Sequence, residues 1–177
     1  KYEELNLIVV HLGGGISVGA HRKGLVIDVN NALNGEGPIS PERAGTVPSE
    51  ALATLCFSGK YTLNEVKKML HGKAGLAAYL GTSDMITIEE KAIEGKEPYK
   101  TLVAAMDYTV AKEIGAMFVA LKGQCDAIIL TGGIAYSDYC VADIKEQIEY
   151  LCKVVVLPGE NEMESLAENA FGALTGE

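Results

Sequence analysis

The stretch Asn6-Leu-Ile-Val-Val-His-Leu-Gly-Gly-Gly-Ile-Ser-Val-Gly19 constrains this chain more than any other. An apolar, β-branched run from Leu7 to Val10 reads as a buried strand. It runs into Gly13, Gly14 and Gly15, after which alternation resumes at Ile16, Val18 and Ala20. A second strand therefore begins before the turn at Arg22-Lys-Gly24. Glycine at a hairpin bend permits positive φ and removes the side chain that would keep a ligand off the backbone N–H groups. Such a turn can offer several N–H donors to one phosphate. It can equally be a tight hairpin whose glycines answer only a steric need. Its neighbours must decide between the two.

Those neighbours come in a definite order. Leu25 to Val29 reads as a third strand, completing a β-β-β meander. Asn30 to Pro48, with prolines at 38, 41 and 48, reads as a long irregular loop of the kind that is usually functional or disordered. Ser49 is expected to cap a helix through Phe57, and Thr62 another through Leu70, with Glu65 completing a capping box. Gly75 to Leu80 is a short apolar piece ending at Gly81-Thr-Ser-Asp84, and a helix follows to about Glu94. From Pro98 to Lys122 apolar residues recur at Leu102, Met106, Val110, Ile114, Met117 and Leu121, a helical period. The last turns of that helix are apolar nearly all round, which places it centrally or at a subunit interface. A strand over Cys125–Thr131, a helix from about Ser137 to Tyr150, a strand from Val154 to Leu157 and a closing helix from Met163 to Leu174 complete the chain.

This order predicts an α/β domain with a mixed sheet, a β-meander followed by β-α-β-α, and helices on both faces. In open α/β sheets, ligands sit beyond the carboxyl ends of the strands. The glycines after Leu12, the pair after Thr131, and Pro158-Gly159 all fall at such ends or at the bend. They are expected to converge on one crevice.

Composition narrows the partners. With 177 residues, 48% of them hydrophobic, the chain reads as one domain able to bury a core without disulfides. A net charge of -9 argues against nucleic acid and against an anionic membrane surface. Cys56, Cys125, Cys140 and Cys152 form no CxxC pair and read as reduced, mostly buried thiols, which points to the cytoplasm. The longest apolar run, Ile114 to Leu121, is too short to span a bilayer, and no signal peptide is visible. The opening Lys1-Tyr-Glu-Glu suggests a piece of something longer.

The usual phosphate loops are absent. Ser58-Gly59-Lys60 lacks the earlier glycine of a Walker loop, and no GxGxxG joins a strand to a helix. There is no HExxH. A phosphate binder without these loops suggests the actin-like ATPase (ribonuclease H-like) architecture, where hairpin turns hold the phosphates. His11-Leu-Gly-Gly-Gly-Ile-Ser-Val18, Ser40-Pro-Glu-Arg43 within its loop, Gly81-Thr-Ser-Asp84, Leu130-Thr-Gly-Gly-Ile134 and Pro158-Gly-Glu-Asn-Glu162 together resemble the acetate kinase family, with wording closest to its butyrate kinase branch. The resemblance runs through the whole chain but covers only the C-terminal half of that family's two actin-like halves.

The resemblance implies an acyl kinase. ATP and a short-chain carboxylate would give an acyl phosphate and ADP, reversibly, with Mg²⁺. Residues 1–177 would form its C-terminal nucleotide-binding and dimerisation domain, a homodimer completed by an N-terminal domain that supplies the substrate side. Gly13, Gly14, Gly15 and Ser17 would hold the outer phosphates through backbone N–H groups. His11 is either a phosphate contact or an ordinary strand-end imidazole. Arg43, in the loop that matches the family's catalytic arginine, would neutralise the equatorial oxygens of the transferring phosphoryl group. Thr82, Ser83 and Asp84 would flank the adenosine, although helix capping alone also explains them. Gly132, Gly133 and Ile134 would line the nucleotide, although a plain strand-to-helix turn uses glycine too. Glu162 would be the magnesium-associated carboxylate, a position that the helix dipole favours in any case.

Two further assignments compete. One stays in the class, as an acetate, propionate or branched-chain acid kinase. The other is a non-catalytic actin-like nucleotide-binding domain, for which a cation at the transferring phosphate would have no use.

Overall fold

The structure is a computed structural model that describes residues 1–159. The closing helix expected at Met163–Leu174, together with Asn161 and Glu162, lies outside the described residues. Strands β1 (Asn6–Leu12), β2 (Ile16–Arg22) and β3 (Leu25–Val29) form the expected meander. Helices α1 (Ser49–Phe57), α2 (Leu63–Leu70), α3 (Gly75–Leu80), α4 (Met85–Ile93) and α5 (Tyr99–Ala120) follow. Then come β4 (Ala127–Gly132), α6 (Asp138–Ile148) and β5 (Val154–Pro158).

The five strands make one mixed sheet in the order β3-β2-β1-β4-β5. The meander is antiparallel, while β4 runs parallel to β1 and β5 parallel to β4. Register explains which face is covered. Ile8 pairs with Ala20 and Ile128, Val10 with Val18 and Leu130, and Leu12 with Ile16. All of these are buried, so one face of three adjacent strands is a continuous apolar layer. Each such Val, Leu or Ile contributes about 1.5–3 kcal/mol when fully buried.

Helix α5 covers that layer. Its buried stripe of Val103, Met106, Val110, Ile114 and Met117 follows the helical period, and it packs on β1, β2 and β3 and against α4 and α6. Of the two placements open for this helix, the central one holds: Ile114, Met117 and Leu121 belong to the chain's own core. The edge strand β3 forms as expected, with all its residues exposed, including Leu25, Val26, Ile27 and Val29.

The local signals held unevenly. Thr62 and Glu65 form the full reciprocal capping box at α2. Ser49 does not cap α1; the N-cap is Pro48, with no side-chain hydrogen bond, and Ser49 is already helical. The apolar piece Gly75–Leu80 is a short helix. The thiols are less hidden than expected: Cys140 is buried, Cys125 and Cys152 are half-buried, and Cys56 is exposed. No helix among the described residues is long and apolar enough to cross a membrane.

Candidate functional site

The site is built at the carboxyl ends of β1 and β4. Across the hairpin His11 lies opposite Ser17, and it lies beside Thr131 in the parallel pairing. The glycine turn between β1 and β2 is tight, with the Gly13 N–H donating to the Gly15 carbonyl at 3.2 Å. Gly13, Gly14 and Gly15 take no left-handed φ, so the conformational reason for glycine does not apply here. Side chains of the long loop border the later two glycines. A Cβ on Gly14 would lie 3.2 Å from Glu42 Oε2, and one on Gly15 would lie 3.7 Å from Arg43 Cγ. Among the described residues, no backbone or side-chain acceptor takes the N–H of Gly14 or Gly15. Two donors on one turn suit an anion.

The long loop is fastened rather than loose. Its first residue, Asn30, is buried and reaches across the sheet. Its carbonyl oxygen accepts from the Val18 N–H at 2.7 Å, and its amide donates to the Ile16 and Glu36 carbonyls at 3.1 and 2.9 Å. Further along, the fully buried Ser40 hydroxyl donates to the Gly14 carbonyl at 2.7 Å and accepts from the Arg43 N–H at 3.1 Å. The Glu42 N–H donates to the same Gly14 carbonyl at 3.0 Å. Helix α3 closes the other side, with the Leu76 and Ala77 N–H groups donating to the Ser40 and Pro41 carbonyls. Gly75 has φ +61, and a Cβ there would meet the Ser40 carbonyl oxygen at 1.9 Å. Proline stiffness and these bonds together bring Arg43 to the hairpin.

Arg43 is four-fifths covered and lies along Gly15. Its Nη1 is 3.6 Å from Glu42 Oε2 and donates to the Glu42 carbonyl at 3.4 Å. Its Nε is buried and has no hydrogen-bond partner among the described residues. An unpaired buried donor on a cation is costly unless something else completes it, and a phosphate oxygen is a suitable acceptor.

The segment Gly81–Asp84 joins from another side. Ser83 Oγ donates to Glu42 Oε1 at 3.4 Å. Asp84 caps α4 by accepting from the Ile86 N–H at 3.3 Å, and Thr82 Oγ1 accepts from the Asp84 N–H at 3.1 Å. A hydrogen bond from the Thr87 hydroxyl, followed by the Ile86 N–H, holds the Asp84 carboxyl below its ordinary range. The capping explanation for Asp84 is therefore satisfied, and it leaves room for a ligand role at the same end of α4.

Gly132 is the point of closest approach between strands. Its φ is +92, and a Cβ there would lie 2.5 Å from the Leu12 carbonyl oxygen. It also exchanges N–H to carbonyl bonds of 3.2 Å with Gly159, drawing the end of β5 in as expected. A 3-10 turn over Gly133–Tyr136 follows, with Ile134 buried and Gly133 exposed. Between this turn and the start of α4 is a cavity of about 220 Å³ lined by Met85, Ile86, Glu89, Gly133, Ile134 and Tyr136. It is the size for a flat heterocycle and adjoins Asp84. A larger cleft, about 570 Å³, is formed by α1 and the residues after it and contains none of the expected site residues.

Gly14, Arg43 and Ser83 thus gather around Glu42, and Gly132 lies against Leu12 at the foot of the hairpin. Sequence reasoning missed Glu42, which touches the first three; no local signal distinguishes it from any other loop glutamate. Among the described residues, no group of three or more His, Cys, Asp or Glu side chains is placed to hold a metal ion. The carboxylate expected near magnesium, Glu162, lies outside the described residues.

Comparison with known proteins gives a consistent picture. Residues 1–171 match the Acetokinase family. The chain is 73% identical over 176 residues to a probable butyrate kinase from Phocaeicola vulgatus, and 55% identical over 177 residues to one from Bacteroides thetaiotaomicron. Those matches cover 99% and 100% of this chain but 50% of each relative, so the chain spans about half the length of the curated relatives it matches. The structure of acetate kinase from Entamoeba histolytica superposes with a TM-score of 0.81 at 20% identity, covering 96% of this chain and 52% of that one. At that identity the likeness establishes the α/β actin-like fold.

Proposed function

The chain belongs to the acetokinase family, and on that premise we propose that it is the nucleotide-binding half of a short-chain carboxylate kinase of the butyrate kinase type. The reaction is reversible transfer of the γ-phosphoryl group of ATP to a carboxylate, giving an acyl phosphate and ADP. The missing length would supply the acid pocket and complete the cleft.

The observation that carries this proposal is the meeting of Arg43 with the glycine hairpin, where a buried guanidinium nitrogen and two backbone N–H groups stand without acceptors among the described residues. In the proposed roles, Gly13, Gly14, Gly15 and Ser17 hold the outer phosphates, with His11 at the strand end beside them. The cavity at Gly133, Ile134 and α4 takes the adenosine, flanked by Thr82, Ser83 and Asp84. The acid is already ionised at neutral pH, so no general base is required. Positioning and charge neutralisation are the catalytic means, and Arg43 supplies the cation. Magnesium accompanies the nucleotide and neutralises phosphate charge, with Glu162 its expected carboxylate.

Calorimetry of MgADP against this chain, followed by an acyl-phosphate assay with the missing half supplied, tests the proposal. Binding by the lone chain and turnover on reconstitution is the expected pattern. Turnover without detectable MgADP binding to this chain would place the nucleotide elsewhere. A panel of acids on the reconstituted enzyme would separate butyrate from acetate, propionate and branched-chain substrates. The proposal includes a cytoplasmic homodimer through the helix around Ile114 to Leu121; since Ile114, Met117 and Leu121 are taken up by the core, the contact would use that helix's outer face, where Val119 is exposed. Gel filtration giving a clean monomer at micromolar concentration would count against the dimer.

A further inference from the structure

We propose that Glu42 acts as an internal competitor in the hairpin cradle, a carboxylate that an incoming phosphoryl group must displace. The inference rests on the hairpin and Arg43 forming a phosphate site. Glu42 occupies its centre. One oxygen, Oε2, lies 3.2 Å from the Cβ position of Gly14 and 3.6 Å from Arg43 Nη1, and the other accepts from Ser83 Oγ at 3.4 Å. A glycine turn, a guanidinium and a hydroxyl are the partners that a phosphate oxygen seeks. Glu42 therefore plays the part of an anion with the chain's own side chain.

Two anions cannot share this space. A phosphoryl oxygen that reached Arg43 would face the Glu42 carboxylate at contact distance, where like charges repel strongly. Glu42 has somewhere to go, because its side chain is 42% exposed and only its backbone is pinned, by the bonds to Gly14 and Gly72. Displacing it costs one partly exposed ion pair and one long hydrogen bond. That cost is small, but it falls on every anion that enters. A simple anion gains only the cradle in exchange. A nucleotide also gains the contacts of the adjoining cavity at Gly133, Ile134 and α4. Glu42 thus weakens the cradle for free phosphate and nucleotide alike, a loss that the nucleotide offsets through its other contacts, and it occupies the Arg43 guanidinium until a ligand arrives.

The test compares wild-type chain with Glu42→Gln and Glu42→Asp, using inorganic phosphate and MgADP as separate titrants in calorimetry. Glutamine keeps an acceptor for Ser83 and removes the charge. Thermal unfolding of each variant, matched to wild type, establishes that the fold is retained. The expected result is that Glu42→Gln binds phosphate and MgADP each about two- to fivefold more tightly than wild type, the range of an exposed ion pair. Glu42→Asp keeps the charge and should stay nearer wild type. Equal affinities for wild type and Glu42→Gln, or weaker binding by Glu42→Gln, would overturn the inference. If phosphate responds as expected while MgADP gives no heat with any protein, Glu42 keeps its role and the nucleotide proposal fails instead.

Discussion

The hydroxyl of Ser40 donates a 2.7 Å hydrogen bond to the carbonyl of Gly14, joining a proline-rich loop to a hairpin turn 26 positions earlier in the chain. That bond turns the Gly14 carbonyl toward the loop, and the same hydroxyl receives the Arg43 N–H. The two parts of the site are therefore registered on one buried oxygen atom.

Ser40→Ala should be disproportionately damaging for so small a change. It removes one hydrogen bond from Gly14 and leaves the Arg43 N–H without its acceptor. A loss of about 1–3 kcal/mol in urea unfolding is expected, with no compensation from cavity collapse. Stability within a few tenths of wild type would mean that the loop is held by α3 alone.

Gly132→Ala tests the approach of β4 to β1. The position combines φ +92 with a Leu12 carbonyl oxygen only 2.5 Å from the new methyl. Left-handed backbone and overpacking should together cost about 2–4 kcal/mol. Because the clash is with backbone, side-chain repacking cannot relieve it. MgADP affinity should fall as well, as the end of β4 is pushed away from the hairpin.

Asp107 predicts a pH dependence of stability. It is buried in α5, and among the described residues neither carboxylate oxygen has a hydrogen-bond partner within ordinary geometry. Burial, then the charges of Asp143 and Glu89, raise its pKa from 3.8 to about 8, with the neighbouring Cys140 thiol pulling the other way. The folded chain thus keeps a proton that the unfolded chain releases. Stability from this group is fully present below about pH 4 and is lost as pH rises through about 8. Asp107→Asn should flatten the dependence of stability on pH from about 5 to 9, and exceed wild type by about 1–3 kcal/mol at the alkaline end. An unchanged slope in chemical denaturation would refute the assignment.

What the sequence made legible was local or periodic. Thr62 and Glu65 lie one helical turn apart, so their capping box is visible in any four-residue window. The alternation of Ile16, Val18 and Ala20 likewise marks a strand, and all three side chains are buried. The convergence of Gly14 and Arg43 followed from the motifs taken together. What stayed hidden depends on tertiary contact. Glu42 matters because of Gly14 and Ser83, both distant in the chain. Gly75 must be glycine because its positive-φ backbone passes against the Ser40 and Arg43 backbone, far away in the chain. Asp107 is set into the apolar stripe of α5, where periodicity alone cannot show that a carboxyl is buried. Glycine in the hairpin is expected for a conformational reason that its dihedrals do not bear out, and only movable side chains border it.

The most direct test of the central proposal is Arg43→Ala in the enzyme completed with its other half, with turnover and MgADP affinity measured on the same preparation. A cation at the transferring phosphoryl group is worth on the order of 10³–10⁵ in rate. Acyl-phosphate formation should fall by about that factor while the dissociation constant for MgADP stays within about threefold of wild type, since uniform binding would be untouched. Turnover within tenfold of wild type, or a loss confined to nucleotide affinity, would contradict a catalytic arginine at this hairpin.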